Sequence, residues 1–405
     1  MSTLEVNKIT PVSGGTTVQV GESGDTINIP AGATIVNAGT STGFGDSLRP
    51  NVNPLIINGD MALSQRNGTT ATTIGSEAYS LDRWSFREIS GGSTTVQQTT
   101  TVPSGKGFAN SLKVAVTGAD TSIIGDNIVA IAQKLEGQDV QLLKFGTSDA
   151  QKITISFWVR SNVTGTYSAT LRHTNTSGTA YVNSLTFSIS SGDTWEQKVL
   201  VFNANTSQDI RNTNTEGIRL EIILTAGSDY TSGGGANANT WTTGNTNRAS
   251  ASNVNILSST SNTFYLTGVQ MEVGEYTSST LPPFQHESFG DNLARCQRYL
   301  YQINGTGNGR FATGGFFSTT QADVIVSFPC KMRNTYSIAT SSDSHFALTS
   351  HTAEATPTGL ALDTSAVLDA ANVRVTVGSA IGSAGNYALF LTKSASAKFN
   401  FDAEL

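Results

Sequence analysis

Ile153-Thr-Ile-Ser-Phe-Trp-Val-Arg160 sets apolar residues at every second position, with Ile153, Ile155, Phe157 and Val159 on one side. A side-chain period of two belongs to a β-strand, and such a strand buries one face only. Further segments follow in the same style. They include Thr194-Trp-Glu-Gln-Lys-Val-Leu-Val-Phe202, Gly217-Ile-Arg-Leu-Glu-Ile-Ile-Leu224 and Thr263-Phe-Tyr-Leu-Thr-Gly-Val-Gln-Met-Glu-Val273. Several such strands must pack their apolar faces against a second sheet, so residues 51–285 are expected to form a β-sandwich, with jelly roll as the topology.

Composition agrees. Charged residues make up 13% of the chain, against about 25% in typical globular proteins. Ser, Thr, Asn and 40 glycines take their place, which suits strand surfaces and tight turns. The expected fold class is all-β.

Three other segments flank the sandwich. Residues 1–50 contain short alternating stretches at Val18-Gln-Val20, Ile27-Asn-Ile29 and Thr34-Ile-Val36, separated by glycines. Their spacing fits a meander, or the rungs of a small β-helix or β-prism. So short a segment with few large apolar side chains buries too little to fold alone, and it is read as an attachment element ordered by protein partners. Residues 286–302 are the best helix candidate: Phe289, Leu293, Cys296 and Leu300 make one stripe, and Ser288 with Asp291 can cap it. The stripe either packs on a sandwich or meets its symmetry mates in a short coiled coil. Residues 303–405 return to short strands, and about 100 residues suffice for a second, smaller sandwich.

Several function classes are set aside. Net charge is −6 and the 24 basic residues form no run, so no face is expected to replace phosphate counterions on nucleic acid. No apolar run approaches the length of about 20 residues that a membrane span needs. The opening Met1-Ser-Thr-Leu-Glu carries no secretory signature; the expectation is synthesis in a cytoplasm and release inside a particle. Cys296 and Cys330 are too few for a disulfide framework or a zinc site and read as small apolar residues, with a bond between them left open.

Candidate sites are each weighed against packing. Asp82, Arg83 and Trp84 are adjacent, but tie a strand end and fill the core more simply than they bind sugar. Trp158, on the strand face opposite Phe157, is likewise assigned to structure. Glu136, Asp139 and Glu272 are isolated in sequence, unlike the paired carboxylates of polysaccharide-cleaving enzymes, and are read as salt-bridge or turn residues. His173 and His286 lack metal-ligand spacing, and no phosphate loop, nucleophile elbow or HExxH motif occurs. The loop at 227–253 differs, because Trp241 and Tyr230 have almost no other apolar material around them. Long loops inside compact domains tend to be functional. Trp241 and Tyr230 are therefore the candidate glycan-stacking residues, against the alternative that the loop folds Trp241 onto its own domain. A rival contact zone is the C-terminal segment with Phe311, Phe316, Phe317 and Phe346.

Three stretches carry a resemblance. Ser2-Thr-Leu-Glu-Val-Asn-Lys-Ile-Thr-Pro11, continuing through Gly21-Glu-Ser-Gly-Asp-Thr-Ile27 to Gly43-Phe-Gly45, resembles the N-terminal segment of virion structural proteins of marine tailed bacteriophages. The middle stretch includes Ile56-Ile-Asn-Gly-Asp60, Leu81-Asp-Arg-Trp-Ser-Phe86, Gln133-Lys-Leu-Glu-Gly137 and Ser156-Phe-Trp-Val-Arg-Ser161. It resembles tail-fibre domains related to carbohydrate-binding jelly rolls. Cys296-Gln-Arg-Tyr299 and the ending Asp402-Ala-Glu-Leu405 recur in the same family. The resemblance implies a non-catalytic homotrimer on the virion surface. It would contact other tail or virion proteins through residues 1–50 and adsorb to a host-surface glycan. No cofactor is expected. Asn58-Gly-Asp60 resembles a segment where related modules hold a structural calcium, which would suit oxygen ligands, although no second carboxylate is identifiable. Two readings compete with a receptor-binding fibre: a purely architectural head fibre or adaptor, and a capsule-digesting depolymerase. The second would need a long β-helix that the sequence does not carry.

Overall fold

The computed structural model describes residues 53–405 apart from 74, 76 and 364–366. The attachment segment expected at 1–50 lies outside them. The described residues fall in one compact unit, and the protein is all-β.

The alternating strands build two facing antiparallel sheets. In the first the spatial order is β1 (Thr72–Thr73), β4 (Ser93–Thr99), β5 (Ser111–Gly118), β13 (Thr263–Val273), β7 (Ile153–Ser161) and β10 (Glu196–Phe202). In the second it is β12 (Thr242–Thr243), β9 (Ala180–Ile189), β8 (Gly165–Thr174), β11 (Glu216–Ala226), β6 (Ile128–Glu136), β3 (Ser85–Ile89) and β2 (Ala78–Tyr79). The chain crosses between sheets from β1 to β2, β3 to β4, β5 to β6, β6 to β7, β7 to β8, β9 to β10, β10 to β11 and β12 to β13. This is jelly-roll-like wiring. Inward positions of both sheets are closed to solvent, among them Phe157, Tyr167, Phe187 and Phe264. Phe157 meets Phe187 edge-on at 5.1 Å and Tyr167 stacks on Phe187 at 5.5 Å, so ring geometry as well as buried area holds the two sheets together.

Trp84 is fully buried, and its indole N–H donates to the Asn58 carbonyl. Asp82 accepts from the backbone and side-chain amides of Gln65. Both serve structure, as the sequence suggests.

A second core lies between a three-stranded sheet (Leu300–Asn304, Lys398–Asp402, Ser337–Thr340) and a seven-stranded one. The larger sheet runs Glu354–Ala355, Phe346–Thr349, Tyr387–Thr392, Arg310–Phe316, Gln321–Ser327, Ala370–Val377 and Pro357–Leu362. Phe346, Phe390, Phe399 and Phe401 fill the space between them.

The helix between the sandwiches is Phe289–Gln297, shorter than the expected 286–302, because the chain re-enters a strand at Leu300. Ser288 caps it as the spacing suggests: its hydroxyl accepts from the Asp291 amide and donates to the Asp291 carboxylate. The predicted stripe holds in its middle only. Leu293 and Cys296 pack with Ile57, Leu63 and Tyr299, whereas Phe289 is 67% exposed. Cys296 and Cys330 are free thiols.

The two sandwiches are joined by buried charge. Glu136 takes both nitrogens of the Arg298 fork at 2.7 and 2.8 Å and the Tyr299 hydroxyl at 2.6 Å. Arg83, at φ 69, pairs with Glu404 and lies over the Tyr299 ring at 3.4 Å. Left-handed backbone at a bulky residue is costly, and this packing holds it there. Lys134 donates to the Leu405 carbonyl at 2.6 Å, so the last residues of the chain lie against the first sandwich.

The packing separates two phenylalanines. Phe157→Ala is expected to cost about 3–5 kcal/mol, seen as a large drop in the denaturant midpoint. Phe289→Ala is expected to stay within about 0.5 kcal/mol of the parent.

Candidate functional site

A sandwich leaves two outer faces, and the chain treats them differently. On the second sheet the loop at 227–253 is laid across the outside of β6, β8, β9 and β11. Thr170 and Ser184 both donate to the Arg248 carbonyl. Arg248 forks onto Glu221 at 3.1 and 2.6 Å, with both side chains 2% exposed. Tyr230 packs with Ile128, Ala130, Ile223 and Ala249, 6% exposed, and Arg248 lies 5.0 Å from its ring centre.

Neither ring singled out in this loop stands free. Tyr230 is enclosed because it covers an apolar patch on β6 and β11. Trp241 is folded onto its own domain: it meets Phe145 and His173 edge-on at 5.4 and 4.8 Å, and its indole N–H donates to the Asn203 carbonyl. The two rings pack against different strands and do not form one surface. Each is half of a local cover.

The first sheet's outer face is divided by a bulge in β13 between Thr267 and Gln270. Gly268 sits there at φ +61, and a Cβ on it would lie 2.5 Å from the Phe108 ring, so only glycine fits. On one side of the bulge the face is covered: Gln270 donates to the Pro282 carbonyl, and Phe108, Phe284 and His286 cluster at 4.8–5.6 Å.

On the other side lies an aromatic and cationic surface. Gln97, Lys113, Tyr265 and Arg160 stand side by side across β4, β5, β13 and β7. Lys113 and Arg160 flank the Tyr265 ring at 5.8 and 5.1 Å, and Trp195 meets it edge-on at 6.1 Å. That enclosure leaves Tyr265 only 9% exposed. Trp158, next along, is half-buried between Thr267 and Gln197 on neighbouring strands, with the Lys106 ammonium 5.3 Å from its ring centre. Gln197 also lines a cleft of about 550 Å³ along β10, bounded by Thr186, Ser188 and Tyr276. Rings flanked by polar and cationic side chains can hold a ligand with an apolar face and polar edges.

The remaining sequence candidates are elsewhere. Phe316 and Phe346 lie in the C-terminal core, Phe311 packs partly against it, and Phe317 is 45% exposed beneath Arg374. Glu136 is consumed by the inter-sandwich contact; burial and the neighbouring Glu136 raise the pKa of Asp139. Glu272 is buried on the covered half-face. Asn58 accepts from the Leu63 amide and donates to the Leu63 and Asp82 carbonyls, a purely internal set of bonds. Among the described residues, no group of three His, Cys, Asp or Glu side chains could hold a metal ion.

Among the buried groups with shifted titration, His173 and Glu221 bear on pH dependence. Burial lowers His173 from 6.5 to about 4. Burial works to raise Glu221, but Arg248 and Arg219 outweigh it and hold the carboxyl below its usual range.

No family model matches the chain, and no curated protein matches it. Among solved structures it is similar to the enzymatically active domain of tailspike protein 4 of bacteriophage CBA120 (14% identity, TM-score 0.28, 54% of this chain and 21% of that one). It is also similar to the family 11 carbohydrate-binding module of a Clostridium thermocellum cellulosomal cellulase (12%, 0.25, 52% and 97%). A third is a xylan-binding domain from Paenibacillus barcinonensis (12%, 0.27, 52% and 99%). The chain thus spans about a fifth of the tailspike domain. Similarity this distant assigns no family.

The titrations carry a pH prediction. His173 resists protonation when folded, so its contribution is complete above 6.5 and declines as pH falls towards about 4. Glu221 is depressed, so its contribution is complete above the ordinary carboxylate range and lost as pH falls through the lower folded value. Thermal midpoints measured against pH are expected to fall in two stages, and His173→Gln is expected to remove the first alone.

Proposed function

We propose that this chain is a non-catalytic glycan-binding protein of a tailed-phage particle, trimeric, attached through residues 1–50 and adsorbing to a host surface. The observation that carries the glycan reading is the uncovered half-face of the first sheet, with Trp158 and Trp195 half-buried, Gln197 beside Trp158, and Gln97 in the row of Lys113, Tyr265 and Arg160. Sugar rings present CH faces that stack on flat aromatics and hydroxyls that bond to amides and Thr side chains. Aromatic anchors of this type dominate binding energies where they occur. The particle and its host come from the N-terminal and Cys296-Gln-Arg-Tyr299 resemblances alone.

The test is adsorption of the purified full-length protein to candidate host cells and to arrayed glycans. Saturable binding that competes with phage infection is expected. Trp158→Ala and Trp195→Ala should each weaken it about tenfold or more, with Trp241→Ala close to the parent. Loss in Trp241→Ala alone would move the site to the 227–253 loop. No binding by a folded protein would leave the architectural role.

A further inference from the structure

Resting on that reading, we infer that the ligand of the first sheet's open half-face is an acidic polysaccharide, one bearing carboxylate or sulfate groups, and not a neutral glycan. The chain as a whole is acidic, with 24 basic and 30 acidic residues. This surface is the reverse. Lys106, Lys113 and Arg160 all stand over its rings, and among the described residues they form one ion pair, Arg160 with Asp193 at 3.1 Å. Lys106 and Lys113 have no carboxylate within salt-bridge distance among the described residues. Of the cations elsewhere on the first sandwich, Lys134, Lys152, Lys198, Arg219 and Arg248 each pair with a glutamate; Arg87, Lys144, Arg172 and Arg211 form no ion pair among the described residues, but they lie off this sheet, on β3, β8 and the loops.

The placement explains how one ligand would use both features. Lys113 and Arg160 stand one strand to either side of Tyr265, so adjacent strands put ring and charge about 5 Å apart. An ammonium over an aromatic face gains from the ring quadrupole but keeps its outward side in water. An anionic sugar stacked on Trp158 or Trp195 would find its carboxylate or sulfate beside one of these ammonium groups. Their unshared charge makes the surface complementary to an anion.

Polygalacturonate, its fully methyl-esterified form, a sulfated galactan and a neutral mixed-linkage glucan are titrated against the full-length protein at low and high salt. Polygalacturonate or the sulfated galactan should bind at least tenfold tighter than the esterified and neutral polymers, and the two acidic arms separate carboxylate from sulfate recognition. Affinity should fall with salt, and Lys106→Gln with Lys113→Gln should erase the preference while leaving the thermal midpoint unchanged. Equal, salt-independent binding of acidic and neutral polymers would overturn the inference and leave the glycan reading standing. No binding of any polymer by the folded protein would overturn both. Oligomers that dissociate in Trp158→Ala, seen by analytical ultracentrifugation, would assign this face to a second copy of the chain and also overturn it.

Discussion

A β-sandwich has a period of two and therefore two kinds of surface: residues i, i+2 and i+4 go to the core, and those between go outward whatever their chemistry. In this protein the inward rows of both sheets are mostly apolar, with Thr94, Gln133, His173 and Asn183 among the buried polar exceptions, and the seam of Phe157, Phe187, Tyr167 and Phe264 is what every other feature leans on. With that seam in place, the fates of the outward rows become separate decisions. Three of the four half-faces are closed. The 227–253 loop closes much of one side of the second sheet, the second sandwich and the last residues lie along the rest of it, and the 275–286 segment closes half of the first.

Closing a face requires the polar groups beneath it to be satisfied, because a buried charge without a partner is expensive. Arg248 and Glu221 meet that requirement under the loop, and Glu136 with Arg298 and Tyr299 meets it between the sandwiches. These pairs are better explained as the consequence of covering a sheet than as chemistry in waiting. The open half-face has no such closed network among the described residues: Lys106 and Lys113 lie over Trp158 and Tyr265, and neither is matched there to an acid.

Much of the scaffold was legible from spacing alone. The run from Ile153 to Arg160 and the Ser288–Asp291 cap follow from local periodicity and short-range hydrogen bonding, and the structural use of Trp84 from the general tendency of large aromatics to pack. The helix ran past its true end because Leu300 fits a helical stripe and a strand equally well. Its pairing with Asp402 settles the matter, and that partner lies about a hundred residues away. Nothing local marks Trp195 or Tyr265 as a candidate ligand contact, although the alternation Phe264-Tyr265-Leu266 already places Tyr265 outward. Trp241 and Tyr230 stood out for the opposite reason, being large rings in a polar loop.

What the sequence determined by itself was the all-β class, the faces of the strands and the absence of any local catalytic motif, because each depends on neighbours within a few residues. Tertiary structure decided which outward faces are covered, which rings are consumed as covers and which cations stand over the rings of the open one. Those outcomes depend on contacts such as Thr170 to Arg248 and Lys113 to Tyr265, between residues far apart in the chain. No period or motif in one strand specifies what the fold will lay across its outer side.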